Sequence, residues 1–323
     1  MPVRNAASTV RQAIESVLHS TFTDFEFVIV DDASSDDTLQ VIHSIHDPRL
    51  RIMAAEHPGL CPVLNQAVRA CRAPYIARMD ADDICYPHRF QAQLDAASAN
   101  EWDVVGGQVR IIDREGLSVA SLKRYETWVN SNLNHDTILA YRFVESPMAN
   151  PTTLAKRSVY QQPFEDSPHP EDYDFWLHAM AKGFRFGKVG SVILDWIDSS
   201  TRTTRNHPRY SPEAFDACRR FHLRQGPLLG VSSVHLWGAG LTGKPWLRWL
   251  HSEGFTVSQL IDVSPKKIGQ TIHGTPVIPP EQLPSPDGTP LIVAVGARSA
   301  REQIESFLVS RSWRPGKDVW FVA

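Results

Sequence analysis

The stretch YIARMDADDICYPHR, residues 75–89, decides how this sequence is interpreted. An apolar, strand-like segment runs directly into three carboxylates, Asp80, Asp82 and Asp83. Crowded carboxylates repel one another, and each prefers its charged form solvated or paired. A divalent cation is the simplest partner for all three, because Mg²⁺ and Mn²⁺ favour carboxylate oxygens. The alternative is a solvated acidic turn or a helix cap, since an isolated Asp-x-Asp is a weak pattern.

The composition is ordinary for a globular protein. Of the 323 residues, 42% are hydrophobic and 21% charged, and the net charge of −3 gives no reason to expect nucleic-acid or anionic-membrane partners. The four cysteines lack Cys-x-x-Cys spacing and the histidines lack ligand spacing, so reduced thiols are expected rather than disulfides or a zinc site. Neither a membrane span nor a signal peptide is visible, which favours a cytoplasmic protein whose membrane association, if any, is peripheral at the inner face.

An alternation of apolar runs and helical patterns predicts an α/β domain with a parallel sheet covered by helices. Apolar runs that end in acids, such as FVIVDD at 27–32, are typical of buried strands. The pattern weakens after residue 113 and recovers at EDYDFWLHAMAKGF, where Gly183 is expected to stop a helix. The predicted elements are helices over 8–20, 34–45, 62–71, 90–99 and 171–184, and strands over 27–32, 50–53, 75–79 and 103–112.

The alternation restarts near Val234 and predicts a second, smaller α/β unit. Its predicted strands cover 234–237, 257–262, 291–297 and 318–323, and its helices 244–254 and 300–309. The predicted organisation is therefore an N-terminal domain over 1–212, a helical linker over 213–232 and a C-terminal domain over 233–323.

A glycine turn lies between the first strand and helix of this second unit. Gly238, Gly240 and Gly243 fit the pattern G-x-G-x-x-G, and Asp262 ends the next strand near the offset of a ribose-binding acid. These four residues form a candidate second nucleotide site at a helix N-terminus. The stretch resembles the Rossmann-like modules appended to sugar-modifying enzymes, and its shortness argues against NAD(P)-driven hydride transfer. A purely structural or interaction role stays open.

Two further acidic pairs sit at element boundaries. Asp31 and Asp32 end a predicted strand, where an acid can bind a base or ribose or simply cap the next helix. Glu171 and Asp172 open a helix whose dipole keeps a carboxylate ionised. Such a carboxylate can take the proton of a sugar hydroxyl, and N-terminal capping is the alternative.

Four blocks in order carry a family resemblance: MPVRNA, VRQAIESVLHSTFTDFEFVIVDDASSDDT, NQAVRACRAPYIARMDADDICYPHRF and HPEDYDFWLHAM. Over about residues 1–200 the chain resembles a family 2 glycosyltransferase of the GT-A fold. The resemblance implies inverting transfer of a sugar from a nucleotide-diphosphate-sugar donor to an acceptor hydroxyl. It also implies a role in surface polysaccharide or glycoconjugate synthesis, with a saccharide or lipid-linked saccharide as acceptor.

The resemblance implies a role for each matching residue. Asp172 matches the catalytic base, and Asp82 and Asp83 match the acids that hold Mn²⁺ or Mg²⁺. The donor nucleotide is expected to contact Pro2, Asn5, Asp32, Asp80 and Asp82. Arg202, Arg205 and His207 fall where the family places a mobile loop over the donor, although a solvated loop explains this stretch equally well.

The chain departs from the family at its start. The family has an apolar strand immediately before the PVRN turn, centrally in the sheet, and MPVRNA offers no residues to form it. Its absence should leave neighbouring backbone groups unpaired at a cost of about 1–3 kcal/mol each. The resulting hypothesis is that Met1 is an internal methionine of a chain that starts upstream, and the intact mass of the native protein tests it.

Two other functions stay open. A non-catalytic nucleotide-sugar sensor would bind its ligand at the C-terminal glycine turn. A sugar nucleotidyltransferase has a similar sheet but needs a basic, glycine-rich triphosphate loop near the first strand, which MPVRNAAS does not provide.

Overall fold

The computed structural model describes residues 1–114, 119–200 and 202–323. Fourteen strands lie in the described chain: β1 (Pro2–Val3), β2 (Phe27–Asp31), β3 (Leu50–Ala54), β4 (Tyr75–Ala77), β5 (Ile84–Cys85), β6 (Val104–Asp113), β7 (Leu154–Lys156), β8 (Phe186–Asp198), β9 (Ser233–Trp237), β10 (Thr256–Ile261), β11 (Thr271–Ile272), β12 (Thr275–Ile278), β13 (Leu291–Val293) and β14 (Val319–Phe321). The same residues contain eleven α-helices: α1 (Val10–Leu18), α2 (Thr38–His43), α3 (Leu60–Ala70), α4 (Arg89–Asn100), α5 (Val119–Ser131), α6 (His135–Tyr141), α7 (Glu171–Ala181), α8 (Thr203–Asn206), α9 (Pro212–Gln225), α10 (Gly243–Ser252) and α11 (Arg298–Ser310).

The described chain divides into two compact units. The first contains residues 1–135 and 148–218, and the second contains 136–147 and 219–323. The division at 218–219 falls inside the predicted linker over 213–232, whereas residues 136–147 belong to the second unit and not to the predicted N-terminal domain over 1–212. Within the described residues, no helix combines the length and apolar character needed to cross a bilayer.

A three-stranded parallel sheet, ordered β1-β2-β3, opens the first unit. All five residues of β2 are buried, as its continuous apolar run predicts. The buried face of α1, which carries Val10, Ala13, Ile14 and Val17, belongs to the same core cluster as Phe27 and Ile29. The sheet therefore delivers Asp31, the last residue of β2, to its carboxyl edge.

The second sheet of this unit has five strands in the order β4-β7-β6-β8-β5. Only the β6–β8 pair is parallel, and the other three pairs are antiparallel, so the predicted parallel arrangement is wrong here. The thirteen-residue β8 was not predicted. Its glycines at 187 and 190 and its mixed burial interrupt the alternation that marks a strand in sequence.

The first strand is reduced to two residues. Among the described strands β1 pairs with β2 alone, and the Met1 ammonium donates a hydrogen bond of 2.8 Å to the Val28 carbonyl oxygen. Burial lowers the pKa of this amine to about 5. A cavity of about 550 Å³ lies beside it, and its mostly apolar lining includes Val28 of β2 and Ile76 of β4. β1 is therefore shorter than its neighbours β2 and β3.

The second unit is a six-stranded sheet ordered β11-β12-β10-β9-β13-β14. Every pair is parallel except the β11–β12 hairpin. The segment 136–147 packs within this unit, where the Tyr141 ring lies 5.7 Å from that of Phe321 and the Arg142 guanidinium lies 4.6 Å over Trp320. The unit is the small Rossmann-like domain expected from the glycine turn.

Gly187 in β8 permits close packing and generates a stability prediction. A Cβ at this position would lie 2.2 Å from Trp102 Cδ2, inside van der Waals contact. Gly187→Ala should therefore lower the free energy of unfolding by about 1–3 kcal/mol, as overpacking does. Gly190→Ala in the same strand is the control, because nothing lies within 4 Å of its Cβ position. Urea unfolding of both variants measures the difference, and equal stabilities would contradict the packing argument.

Candidate active site

Asp32, just beyond β2, is fixed by contacts on both oxygens. Its Oδ1 accepts a hydrogen bond of 2.9 Å from the Gly59 amide, and its Oδ2 lies 3.4 Å from the Arg4 guanidinium. Gly59 has a φ of 113° and precedes α3, so the carboxylate ties the end of β2 to the start of that helix. The side chain is buried. These contacts give Asp32 a structural role, and its role toward a nucleotide base stays a prediction.

Asn5 closes the turn that follows β1. Its Oδ1 accepts a hydrogen bond of 2.8 Å from the Ser35 amide, and its own amide donates one of 3.0 Å to Ser34 Oγ. Its φ of 48° lies in the left-handed region, which asparagine tolerates better than most residues. The turn after β1 and the turn after β2 are therefore bound together. Pro2 lies in β1 opposite Val30 and lines the cavity beside Met1, and its role toward a nucleotide stays a prediction.

The acidic cluster Asp80, Asp82 and Asp83 lies between β4 and β5. Asp83 is fully buried, and its Oδ1 accepts a hydrogen bond of 2.9 Å from the Ile197 amide in β8. Its Oδ2 is also buried and has no hydrogen-bond partner among the described residues. Burial, followed by the charges of Asp80 and Asp82, raises the pKa of Asp83 well above its ordinary value. Burial and the charge of Asp80 raise the pKa of Asp82 as well.

These residues fit a divalent cation. An unsatisfied buried carboxylate oxygen is costly, and a neighbouring cation removes both that cost and the repulsion among the three acids. Oxygen-only ligands are the set that Mg²⁺ and Mn²⁺ prefer. Asp82 and Asp83 would hold the ion, while Asp80 is already paired with Arg78 Nη2 at 2.7 Å.

Arg202 supplies a positive charge to the same cluster. Its charge partly offsets the rise in the pKa values of Asp82 and Asp83 that burial and the neighbouring acids cause. The side chain stacks 4.8 Å over the Trp196 ring and is largely buried. The structure thus brings this part of the predicted donor loop to the acids. Arg205 instead pairs with Asp198, and His207 accepts a hydrogen bond from the Arg209 amide. Thr201 of the loop lies outside the described residues.

Asp172 stands in the first turn of α7. Its Oδ1 accepts a hydrogen bond of 2.7 Å from the Tyr173 amide. Burial is the main reason that its pKa rises to about 7, and the charges of Glu171 and Asp80 add to the rise. The charge of Asp80 in the acidic cluster therefore acts on Asp172. A carboxyl with this pKa can accept and release a proton near neutral pH.

Glu171 is held by two residues that the sequence analysis did not single out. Tyr210 Oη donates a hydrogen bond of 2.6 Å to Glu171 Oε2, and Arg209 Nη1 lies 3.9 Å from the same oxygen. Both partners come from the segment between α8 and α9. Burial and the acids Glu171 and Asp172 raise the pKa of Tyr210, so its hydroxyl stays protonated and remains a donor. No local motif marks this pair, because the contact spans 39 residues.

The glycine turn of the second unit forms a separate candidate site. Gly243 must lack a side chain, because a Cβ there would lie 1.7 Å from the Gly238 carbonyl oxygen. Asp262 accepts hydrogen bonds of 2.9 Å from the Ala239 amide and 2.9 Å from Lys267 Nζ. Burial alone would raise the pKa of Asp262, but Lys267 and the surrounding amides outweigh it and lower the pKa. Asp262 therefore already stabilises the glycine turn through contacts within the protein.

Comparisons with known proteins agree with this fold. A family model described as glycosyl transferase family 2 matches residues 1–162. The O-antigen biosynthesis glycosyltransferase WbnJ of Escherichia coli is 28% identical over 234 residues, 70% of this chain and 86% of WbnJ. Chondroitin synthase of Escherichia coli is 36% identical over 124 residues, 38% of this chain and 18% of that enzyme. The structure of S. aureus TarS 1–349 with UDP-GlcNAc gives a TM-score of 0.56 at 17% identity, over 69% of this chain and 64% of that one, which shows a shared fold.

The charge of Glu171 generates a prediction about Asp172. Replacing Glu171 by Gln keeps an acceptor for Tyr210 but removes the charge that raises the pKa of Asp172. The pKa of Asp172 should fall below its value of about 7. Carboxyl ¹³C shifts followed against pH measure it, and Glu165→Gln, at an exposed loop position, is the control. An unchanged or higher pKa in Glu171→Gln would contradict the assigned coupling.

Proposed function

The chain belongs to glycosyl transferase family 2, and from that premise we propose that it transfers a sugar from a nucleotide-diphosphate-sugar donor to an acceptor hydroxyl, with inversion and with assistance from a divalent metal. The enzyme is a glycosyltransferase that acts in glycan synthesis. The observation that carries the finer proposal is the buried, unsatisfied Oδ2 of Asp83 within an acidic cluster that also influences Asp172.

Different acidic residues are proposed to act on the donor and on the acceptor. Asp82 and Asp83 would hold Mn²⁺ or Mg²⁺, which neutralises charge on the leaving diphosphate when bound. Arg202, whose charge already acts on these acids, adds a second positive group on the donor side. Asp80 stays oriented by Arg78 at the edge of the cluster. Pro2, Asn5 and Asp32 are proposed to bound the nucleotide end, at the turns after β1 and β2.

Asp172 is the proposed catalytic base. Its carboxylate takes the proton of the acceptor hydroxyl as that oxygen bonds to the anomeric carbon, while the bond from this carbon to the diphosphate oxygen breaks. Attack from the face opposite the leaving group inverts the anomeric centre. Proton transfer is matched to neutral pH because burial and Glu171 set the pKa of Asp172 near 7. Tyr210 and Arg209 keep Glu171 in place beside the base.

The acceptor is proposed to be a saccharide or lipid-linked saccharide in surface polysaccharide or glycoconjugate synthesis. The support comes from WbnJ, which covers most of this chain and is named for O-antigen biosynthesis. A cytoplasmic location, peripheral to the inner face of the membrane, is part of this proposal.

A second ligand site in the C-terminal unit is a separate candidate function. Leu241 at the tip of the glycine turn is 93% exposed, and Val263, next to Asp262, is 69% exposed. Two exposed apolar side chains beside a glycine turn suit the flat face of a base or another small ring. Gly238, Gly240, Gly243 and Asp262 are proposed to line a sensing site of this kind, which the transfer reaction does not need.

The base assignment generates a prediction about activity. Asp172→Asn should lower kcat by about 10²–10⁴-fold while donor binding stays unchanged, since only proton transfer is removed. In the wild type, log(kcat/KM) should fall as pH drops below about 7, because the protonated carboxyl is no base. Asp95→Asn, at an exposed position on α4, is the control and should behave as wild type. Unimpaired turnover in Asp172→Asn would refute the assignment.

The metal assignment generates a second prediction, in ligand binding. Thermal unfolding is followed with UDP, GDP, dTDP and CDP, each with and without Mn²⁺, for wild type and Asp82→Ala. A nucleotide at 100 times its dissociation constant should stabilise the protein by about 2.7 kcal/mol. The stabilisation should require Mn²⁺ and be lost in Asp82→Ala. If it persists in Asp82→Ala without metal, the donor-site assignment fails and the C-terminal glycine turn becomes the binding site.

A further inference from the structure

Three side chains of different chemistry lie close to one another at α7 and α9. His169 precedes α7, Asp174 lies in the first turn of α7, and Cys218 lies on α9. His169 Nδ1 is 3.3 Å from Asp174 Oδ1, and Cys218 Sγ is 3.9 Å from the same oxygen. All three potential ligand atoms lie within 4.8 Å of one another. Cys218 is fully buried and Asp174 nearly so, which shields the group from bulk water.

The separations match the edges of a zinc coordination tetrahedron. With Zn–N and Zn–O distances of about 2.0 Å and Zn–S of about 2.3 Å, tetrahedral angles place N and O about 3.3 Å apart and S and O about 3.5 Å apart. The corresponding distances here are 3.3 and 3.9 Å. The two edges that share Asp174 are thus already close to those of bound zinc, and the His169 and Cys218 ligand atoms, which lie within 4.8 Å of each other, would have to approach further.

We propose that His169, Asp174 and Cys218 bind a zinc ion. A thiolate, an imidazole and a carboxylate form a mixed set that suits Zn²⁺, whereas the oxygen-only cluster of Asp82 and Asp83 suits Mg²⁺ or Mn²⁺. The fourth position falls to water or to His178, whose ring nitrogen lies within 4.8 Å of an Asp174 carboxylate oxygen one helical turn earlier. Zinc replaces the Cys218 thiol proton, which is released to solvent.

The site does not depend on metal for its assembly. Without zinc, Asp174 Oδ1 accepts hydrogen bonds from the His169 ring and the Cys218 thiol, so the buried carboxylate is satisfied in both states. Binding is therefore expected to be reversible and to stabilise an already folded chain.

Zinc at this position would have a structural role. It would join the segment before α7, the first turn of α7 and α9, and Asp174 lies two residues after Asp172. Zinc could change turnover only by orienting Asp172, and that effect rests on the proposed function. Zinc binding does not rest on the proposed function, because it is measured without an activity assay.

The test uses the full chain and zinc alone, with metal content measured by mass spectrometry after gel filtration. Wild type should retain about one zinc per chain. Cys218→Ser, Asp174→Asn and His169→Gln should each weaken binding by roughly tenfold or more, because even partners outside the ligand set cost 10–100-fold. Cys85→Ser, at another buried thiol, and Asp82→Ala should bind as wild type. Circular dichroism of the metal-free variants tests whether each is folded. If the variants at the buried positions Asp174 and Cys218 are unfolded, His169→Gln still tests the proposal, because the His169 side chain is partly exposed.

Cobalt substitution identifies the ligands directly. Co²⁺ bound at this site should show a thiolate-to-cobalt charge-transfer band that survives in Asp82→Ala and Cys85→Ser and disappears in Cys218→Ser. The acidic cluster contains no sulfur, so metal bound only there gives no such band. Absence of the band in wild type, its persistence in Cys218→Ser, or zinc affinity unchanged in folded His169→Gln would each overturn the proposal.

Discussion

Mutual repulsion among partly buried carboxylates is the constraint on which the site depends. Burial and the charge of Asp80 raise the pKa values of Asp82, Asp83 and Asp172. Each acid therefore needs a fixed partner or a cation. Arg78 holds Asp80, the Ile197 amide holds one oxygen of Asp83, and Arg202 faces the cluster. The remaining unsatisfied oxygen belongs to Asp83, and the proposed metal would supply the positive charge that this oxygen lacks.

The scaffold meets this constraint through strand pairing. β5 and β8 pair antiparallel with Ile84 opposite Asp195, and this register brings the Ile197 amide to the Asp83 carboxylate. The same strand leads into the segment that carries Arg202. Tyr210 and Arg209 hold Glu171, whose charge adds to the effect of burial in raising the pKa of Asp172. The protonation of the proposed base therefore depends on contacts made by residues outside its own helix.

Local patterns predicted much of the fold. The apolar runs at β2, β6 and β9 and the helical faces of α1, α3 and α7 are visible in sequence, because burial of one strand or one helix face leaves a period. The long β8, the short β5 and β7, and the mixed direction of the second sheet were missed. Strand direction depends on partners distant in sequence, and short strands contain too few residues to show a period.

The sequence by itself determined the family and the identity of the acidic residues, since apolar strands running into Asp80–Asp83 and a helix opening at Glu171–Asp172 are local features. Only the tertiary structure decided which groups act on them. Burial and neighbouring charges raise the pKa of Asp172, and the charge of Arg202 acts on the acidic cluster. Tyr210 donates a hydrogen bond to Glu171 from a distant part of the chain. His169, Asp174 and Cys218 likewise lie on three separate segments. Electrostatic interactions depend on distance in space and on solvent exclusion, and neither quantity is encoded in local spacing.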